Sequence, residues 1–335
     1  MLTHSMGCNT PLSNKNAASQ VPTMAQDPLI LSAQPAGIQK AAALLAQGAL
    51  VAFPTETVYG LGADARNGRA VAAIFEAKGR PSFNPLIVHV PNVEAAKALC
   101  IWSDAAEGLA MHFWPGPLSM VLPLRADHGL SSLVTAGLPT VALRVPAHPA
   151  AQALLQRFAG PVAAPSANPS GRISPTTAAH VQEDLGSKVA AIIDDGPCPV
   201  GLESTIVGLD GVPRLLRPGG VPAEDIQAAL GADLLASEDG IVSAPGQLLS
   251  HYAPRAAVRL NAAQKTPDEV FLGFGDIACD LNLSPSADLK EAAANLFEYL
   301  HRLDRTGRPI AVAPVPARGL GTAINDRLRR AAAPR

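Results

Sequence analysis

Aromatic residues make up only 4% of this 335-residue chain and charged residues only 16%. An open nucleic-acid surface needs a basic stripe with interleaved aromatics, and neither is in good supply. The formal net charge is −2 and the pI is near 6.4. No global field therefore draws the protein to nucleic acid or to an anionic membrane, and any anion site has to be a local cluster of cations. Cysteine is scarce too. Cys8, Cys100, Cys198 and Cys279 lie far apart with no C-x-x-C pair, which argues against a thiolate zinc site and suits a reducing cytosol better than a disulfide scaffold. No stretch approaches the roughly 20 apolar residues that span a bilayer. Residues 1–27 have no continuous apolar run of the kind a signal peptide needs. They read as a disordered leader with Met24 as an alternative start, and the expected compartment is the cytosol.

Several motifs are missing as well. "GLG" at 60–62 lacks the third glycine of a dinucleotide fingerprint, and no G-x-x-x-x-G-K-[ST] loop occurs. There are no paired carboxylates, no Ser-His-Asp order and no visible carboxylate cage for a metal. The chemistry this chain supports is binding and positioning by cations and hydroxyls.

What is present is globular. Apolar residues reach 48%, and 31 prolines with 28 glycines fix many turns. The length suits one large domain and a smaller one. Apolar runs at 50–53, 86–90, 118–124, 141–145, 189–194 and 205–209 predict strands. Helices are expected at 69–79, with Gly79 as its C′ residue, and near 93–100, 103–112, 148–158 and 175–185. The last of these would start on Ser174 as N-cap with Pro175 at N1. The prediction is an α/β domain with a twisted mixed sheet over 30–232. A linker at 233–256 and a small Rossmann-like α/β domain at 257–335 follow, the latter with three strands, a helix at 286–304 and a closing helix.

Four stretches carry polar groups where an α/β domain would use them. "KGRPSFNPL" (78–86) sets Lys78 and Arg80 around a helix end, where cations complement the macrodipole without any ligand. Two prolines nevertheless rigidify the departing chain beside Asn84. "PTETVYGLGADA" (54–65) follows a strand and reads either as a ligand loop or as an ordinary strand-to-helix turn with capping threonines. "APSANPSGRISPTT" (164–177) is a small-residue loop running into a helix N-terminus, whose free N–H groups suit an anion. "GLESTIVG" (201–208) opens a strand, and "RLLRPGG" (214–220) places Arg214 and Arg217 beside it. Arg144, inside the apolar "VALRV", needs a carboxylate, a phosphate or a solvated sheet edge.

Taken together and in order, "PTETVYGLG", "KGRP", "NPL", "LRVP", "PSANPSG", "ESTIVG" and "LRPG" resemble the YrdC-like domain of threonylcarbamoyl-AMP synthases. The later "HYAP" and the tail "GLGTAINDRLRRAA" are similar to the two-domain form. The resemblance runs from about residue 30 to the end. It implies the joining of L-threonine, bicarbonate and ATP into threonylcarbamoyl-AMP with release of pyrophosphate. The product would pass to a tRNA threonylcarbamoyl transferase complex that modifies tRNAs reading ANN codons. By motif, Thr57, His89, Arg144, Ser166 and Ser204 would hold L-threonine, with Arg144 on its carboxylate. Lys78, Arg80, Asn84, Thr140, Asn168, Thr176, Arg217 and Tyr252 would surround ATP, with Lys78 and Arg80 the catalytic cations at the triphosphate. Mg²⁺ would arrive with ATP. The linker would fold over the site, anchored by Leu248 and Leu249 and bringing Tyr252 to the nucleotide. Two other readings share the domain. One is an RNA-binding module, for tRNA or double-stranded RNA, without catalysis. The other is a larger carbamoyl-transferring maturation factor, whose zinc-finger and acylphosphatase parts this chain lacks.

Overall fold

A computed structural model describes residues 1–2, 27–236 and 251–334. Most of the expected leader, and the part of the linker holding Leu248 and Leu249, lie outside the described residues. Every apolar run read as a strand in the large domain is one, and all join a single mixed sheet of 11 strands. Its first half runs Leu29–Ser32, Ala191–Asp194, Val51–Phe53, Gly60–Asp64, Val162–Ala163 and Ile87–His89. Thr140–Arg144, Leu118–Pro123, Thr205–Gly208, Arg214–Arg217 and Leu235–Ala236 complete it.

Two expectations are corrected. Residues 54–65 are not a strand-to-helix turn. The chain reverses and returns antiparallel, with Ala52 opposite Leu61, because burial on both faces overrides the low strand preference of its two glycines. Ser174 does not cap a helix. That helix is Ala178–Leu185, and Thr177 caps it by accepting the His180 N–H at 3.3 Å. Gly79 ends the Gly68–Lys78 helix at φ 57°, in the left-handed region expected of it.

Strand alternation divides the sheet into two faces. Val88, Met120, Leu143 and Val207 point into the main core under the Gly68–Lys78 and Asp104–Phe113 helices. Their neighbours Ile87, Val121, Ala142 and Ile206 form a small apolar floor on the other face. His89 and Arg144 share that face, adjacent in register.

The small domain has a parallel sheet of four strands, ordered Val258–Arg259, Ile310–Val312, Val270–Gly273 and Leu281–Asn282. The two-residue strand Leu281–Asn282 adds to the three that were expected. Its helix Leu289–Asp304 turns Leu296, Phe297 and Leu300 onto Val58, Ile173 and Leu202 of the large domain, so one apolar cluster spans both. The rings of His180 and His301 stack across the junction, 3.8 Å between centroids. The Thr176 N–H points at His180 Nδ1 (3.3 Å) and Glu298 faces Nε2 at 3.2 Å, which places the proton on Nε2 of a neutral ring. Burial lowers both histidines from 6.5 to about 4. The facing ring and Arg305 add to the fall at His180, where Glu298 and Glu183 oppose it; Arg305 and Arg172 add to it at His301, where the bond to the Ser174 carbonyl and Glu183 oppose it. With their pKa depressed in the folded state, the separated domains bind protons first. The junction is whole above about pH 6.5 and weakens as pH falls through about 4, by on the order of a few kcal/mol. Scanning calorimetry should show the melting midpoint dropping over that window, and His180→Gln should flatten the drop.

Candidate active site

The cleft opens over the apolar floor and is narrow in this structure, with cations, hydroxyls and two aromatic rings crowding its mouth. Ile87 and His89 line it from one strand, and Ala164 and Ser166 from the segment beside it. The hairpin turn at 54–59 forms one wall. Thr55 Oγ1 accepts the amides of Thr57 and Val58 (3.2 and 3.3 Å) and meets the Thr57 hydroxyl at 2.7 Å, which fixes that hydroxyl at the cleft.

Glu56, on the same turn, answers the question Arg144 poses. Its Oε1 accepts Arg144 Nη2 at 2.7 Å, its Oε2 accepts the Ala147 N–H at 3.0 Å, and both side chains are buried. Arg144 Nε donates to the Gly116 carbonyl, while Nη1 has no partner among the described residues. A substrate carboxylate would meet one free corner of this fork instead of the whole bidentate face. His89 edges against the Phe53 ring and sits beside Arg144. Burial, then the Arg144 charge, lowers it to about 3. It is a neutral hydrogen-bonding group at every physiological pH.

The opposite wall is cationic. Arg80 closes its own loop by donating to the Asn84 and Pro85 carbonyls (3.2 and 2.8 Å). Arg217 grips the Ser204 carbonyl at 2.8 Å and its hydroxyl at 3.2 Å, and Ser119 meets that hydroxyl at 2.8 Å. Burial and the neighbouring Arg217 pull Arg80 down to about 10. Cations that depress one another in a buried wall are stabilised by an anion between them. His251 and Tyr252 cover this wall. Burial and the surrounding cations keep His251 neutral, and burial keeps the Tyr252 phenol protonated.

Of the residues singled out in the sequence, Thr57, Arg80, His89, Arg144, Ser166, Ser204, Arg217 and Tyr252 line the cleft. Lys78 does not. It is buried behind the wall, where its ammonium donates to the Ser166 and Asn168 carbonyls and holds the "PSANPSG" loop. Burial and Arg80 drive its pKa well down. Asn84, Asn168 and Thr176 are buried but not at the cleft surface, and Thr140 is half-buried at the strand start, opposite Pro123. Buried polar atoms in native proteins are nearly always paired. Asn84 (both amide atoms), His89 Nδ1, Asn168 Oδ1, Thr176 Oγ1 and Tyr252 Oη are buried without a partner among the described residues. So are His251 Nδ1 and Asp184 Oδ2.

The sequence marks Thr55 and Glu56 as polar groups of the 54–65 loop without giving them a role, and it does not single out Glu203 and His251 in the cleft or Ser119 and Arg327 behind it. Glu203 carried the same signal as Arg144, a charge inside an apolar motif. Its Oε1 accepts the Ser174 hydroxyl at 2.5 Å and its Oε2 accepts Arg327 Nε at 2.7 Å.

Comparison with known proteins gives the family. Residues 43–219 match the Sua5/YciO/YrdC family model, described as telomere recombination, and residues 221–333 match that of the threonylcarbamoyl-AMP synthase C-terminal domain. The threonylcarbamoyl-AMP synthase of Pyrococcus abyssi is 41% identical over 319 residues, 88% of this chain and 93% of that protein. The Bacillus subtilis enzyme of the same name is 41% identical over 330 residues, 90% of this chain and 94% of that one. The crystal structure of P. abyssi Sua5 with L-threonine superposes with a TM-score of 0.84 at 40% identity, covering 91% of this chain and 97% of that one. A fold of this kind, with its cleft of cations and hydroxyls, and relatives matched along nearly their whole length place the chain among the threonylcarbamoyl-AMP synthases, enzymes of the nucleotidyltransferase type.

Proposed function

We propose that this protein condenses L-threonine, bicarbonate and ATP into L-threonylcarbamoyl-AMP and releases pyrophosphate, as the first step of threonylcarbamoyladenosine formation in tRNAs reading ANN codons. The observation that carries the reading is the coincidence of buried, unpartnered polar atoms with the residues chosen for threonine and ATP, around a cleft walled by Arg80, Arg144 and Arg217. A relative of the same fold binds L-threonine.

In this reading the threonine amine and bicarbonate form a carbamate with loss of water. A carbamate oxygen then attacks the α-phosphorus, and the bond to the β-phosphate oxygen breaks as pyrophosphate leaves. No protein nucleophile is required; positioning and charge stabilisation suffice. Thr57, Ser166, Ser204 and neutral His89 hold the amino acid, with the spare corner of Arg144 on its carboxylate. Arg80 and Arg217 face the triphosphate, and Lys78 keeps the loop behind them in place. Asn84, Asn168 and Thr176 take up nucleotide atoms as the walls close, and the Tyr252 phenol donates to it. Thr140, at the far end of its strand, would touch only the outermost part of the nucleotide. Tyr252 and His251 exclude water from a carbamate that decomposes readily.

All four oxygens of Glu56 and Glu203 are engaged, so Mg²⁺ would enter bound to the triphosphate and neutralise its charge there. The product goes to a tRNA threonylcarbamoyl transferase complex, with at most weak direct tRNA contact. The setting is the cytosol; no described helix is long and apolar enough to cross a membrane.

Purified protein with ATP, Mg²⁺, bicarbonate and labelled threonine should release pyrophosphate and form a labile adenylate only when threonine and bicarbonate are both present. Cleavage of ATP to ADP, turnover indifferent to threonine, or salt-dependent tRNA retention without turnover would refute the assignment.

A further inference from the structure

Arg327 is fully buried, yet it belongs to the small domain. It stands on the helix Leu320–Ala332, three residues after Ile324, on the face that carries Ile324, Leu328 and Ala331 into the core. A guanidinium is tolerated there only if its donors are answered. They are, and mostly by the large domain. Nε donates to Glu203 Oε2 at 2.7 Å, Nη2 to the Pro218 carbonyl at 2.9 Å, and Nη1 to Asp326 Oδ2 at 2.6 Å. The guanidinium carbon also lies 4.9 Å from the centroid of the Tyr252 ring. One turn on, the Arg330 carbonyl accepts the His251 N–H at 3.3 Å.

Glu203 precedes Ser204, Pro218 follows Arg217, and Tyr252 covers the cleft. A single side chain of the small domain therefore holds three separate pieces of the cationic wall. We propose that Arg327 is the positioning residue through which the small domain sets the nucleotide side of the cleft. This rests on the function proposed above.

The physical reason is a competition for Glu203. Both Arg327 and Arg217 act on that buried carboxylate, Arg327 more strongly. While Arg327 occupies Oε2, the Arg217 fork stays on the Ser204 carbonyl and hydroxyl. Without Arg327 the carboxylate has Arg217 as its remaining counter-charge, the fork leaves Ser204, and Tyr252 loses the cation against its ring. The damage falls first where Arg217 and Tyr252 stand, and it reaches the threonine side only through Ser204, whose carbonyl and hydroxyl the fork had held. The far wall, where Glu56 pairs with Arg144 beside His89, has no bond to Arg327 and is left in place.

The test uses the full chain and two variants. Arg327→Met removes the charge. Arg327→Lys keeps it but loses the planar fork whose three separate nitrogens reach Glu203, Asp326 and Pro218. L-Threonine and a non-hydrolysable ATP analogue are titrated separately by calorimetry, and pyrophosphate release is measured alongside. The expected split is threonine affinity weaker by no more than about threefold, through Ser204 alone, ATP-analogue affinity weaker by about tenfold or more, and turnover lower by about 100-fold. Arg327→Lys should fall between Arg327→Met and wild type on the last two and match wild type on the first. Equal loss of both affinities in Arg327→Lys, its failure to fold, or wild-type behaviour in both variants would make Arg327 a structural charge and overturn the proposal. If the wild-type protein itself released no pyrophosphate, the function proposed above would fail, while the two titrations would still decide the role of Arg327.

Discussion

Arg144→Met should lose stability and threonine binding together. The Arg144 and Glu56 side chains are 4% and 9% exposed, and removing one member of a buried ion pair leaves the other charged without a partner, at a cost of about 3–5 kcal/mol. Urea unfolding at neutral pH should register that loss. Threonine titration should register a second one, because the free Nη1 corner goes with the side chain. Glu56→Gln combined with Arg144→Met should recover part of the stability, since no uncompensated carboxylate remains, and none of the binding. Arg144→Lys keeps the charge and loses the fork, so it should be the milder variant in urea and still weaken threonine while leaving ATP binding nearly intact. A threonine affinity unchanged in Arg144→Lys would reduce Arg144 to a structural charge paired with Glu56.

Gly201→Val should part the two domains. Gly201 has φ +72°, and a Cβ there would lie 2.4 Å from the Ala293 carbonyl oxygen and 2.6 Å from Ala294 Cα. These are backbone atoms of the Leu289–Asp304 helix, so no side chain can swing aside. A β-branched residue adds strain at that φ. The helix has to move, and Leu296 and Phe297 then leave Val58, Ile173 and Leu202. The cover formed by His251 and Tyr252 goes with it. Pyrophosphate release should drop by about 100-fold or more, while the main core under the large sheet, which contains no residue of the small domain, stays folded. Small-angle scattering should show a larger radius of gyration, and Gly201→Ala should lie between valine and wild type. Full turnover in Gly201→Val would mean that the domain junction has no part in the reaction.

Arg144 and Ser174 show how far local reading reaches. Arg144 was conspicuous because a charge in an apolar strand demands a partner, but the kind of partner stayed open. Glu56 lies 88 positions away in sequence, and only the strand order of the sheet, from Gly60–Asp64 through Val162–Ala163 and Ile87–His89 to Thr140–Arg144, brings the turn that carries it within reach of the arginine. Ser174 looked like a helix cap because Ser-Pro is a common helix start. The serine instead donates to Glu203, 29 positions on, and Thr177 caps the helix. A buried carboxylate outbids the weak local preference of a hydroxyl. Gly60–Asp64 was hidden for a related reason, since a strand with two glycines has little intrinsic preference and takes its form from what covers it.

By itself the sequence determined the alternation of short β-branched runs with amphipathic helices, the absence of a global charge, and the ordered loops whose hydroxyls and cations mark a binding cleft. Those are properties of neighbours along the chain: period, turn chemistry, and isolated charges in apolar runs. Tertiary structure alone decided which charges face one another. It set Glu56 against Arg144, left Arg80 and Arg217 at the cleft, and drew Lys78 behind it onto two carbonyls. It also carried Arg327 across from the other domain to Glu203. A charge pair in a low-dielectric interior is governed by distance and shared burial, and neither of these is a function of separation along the chain.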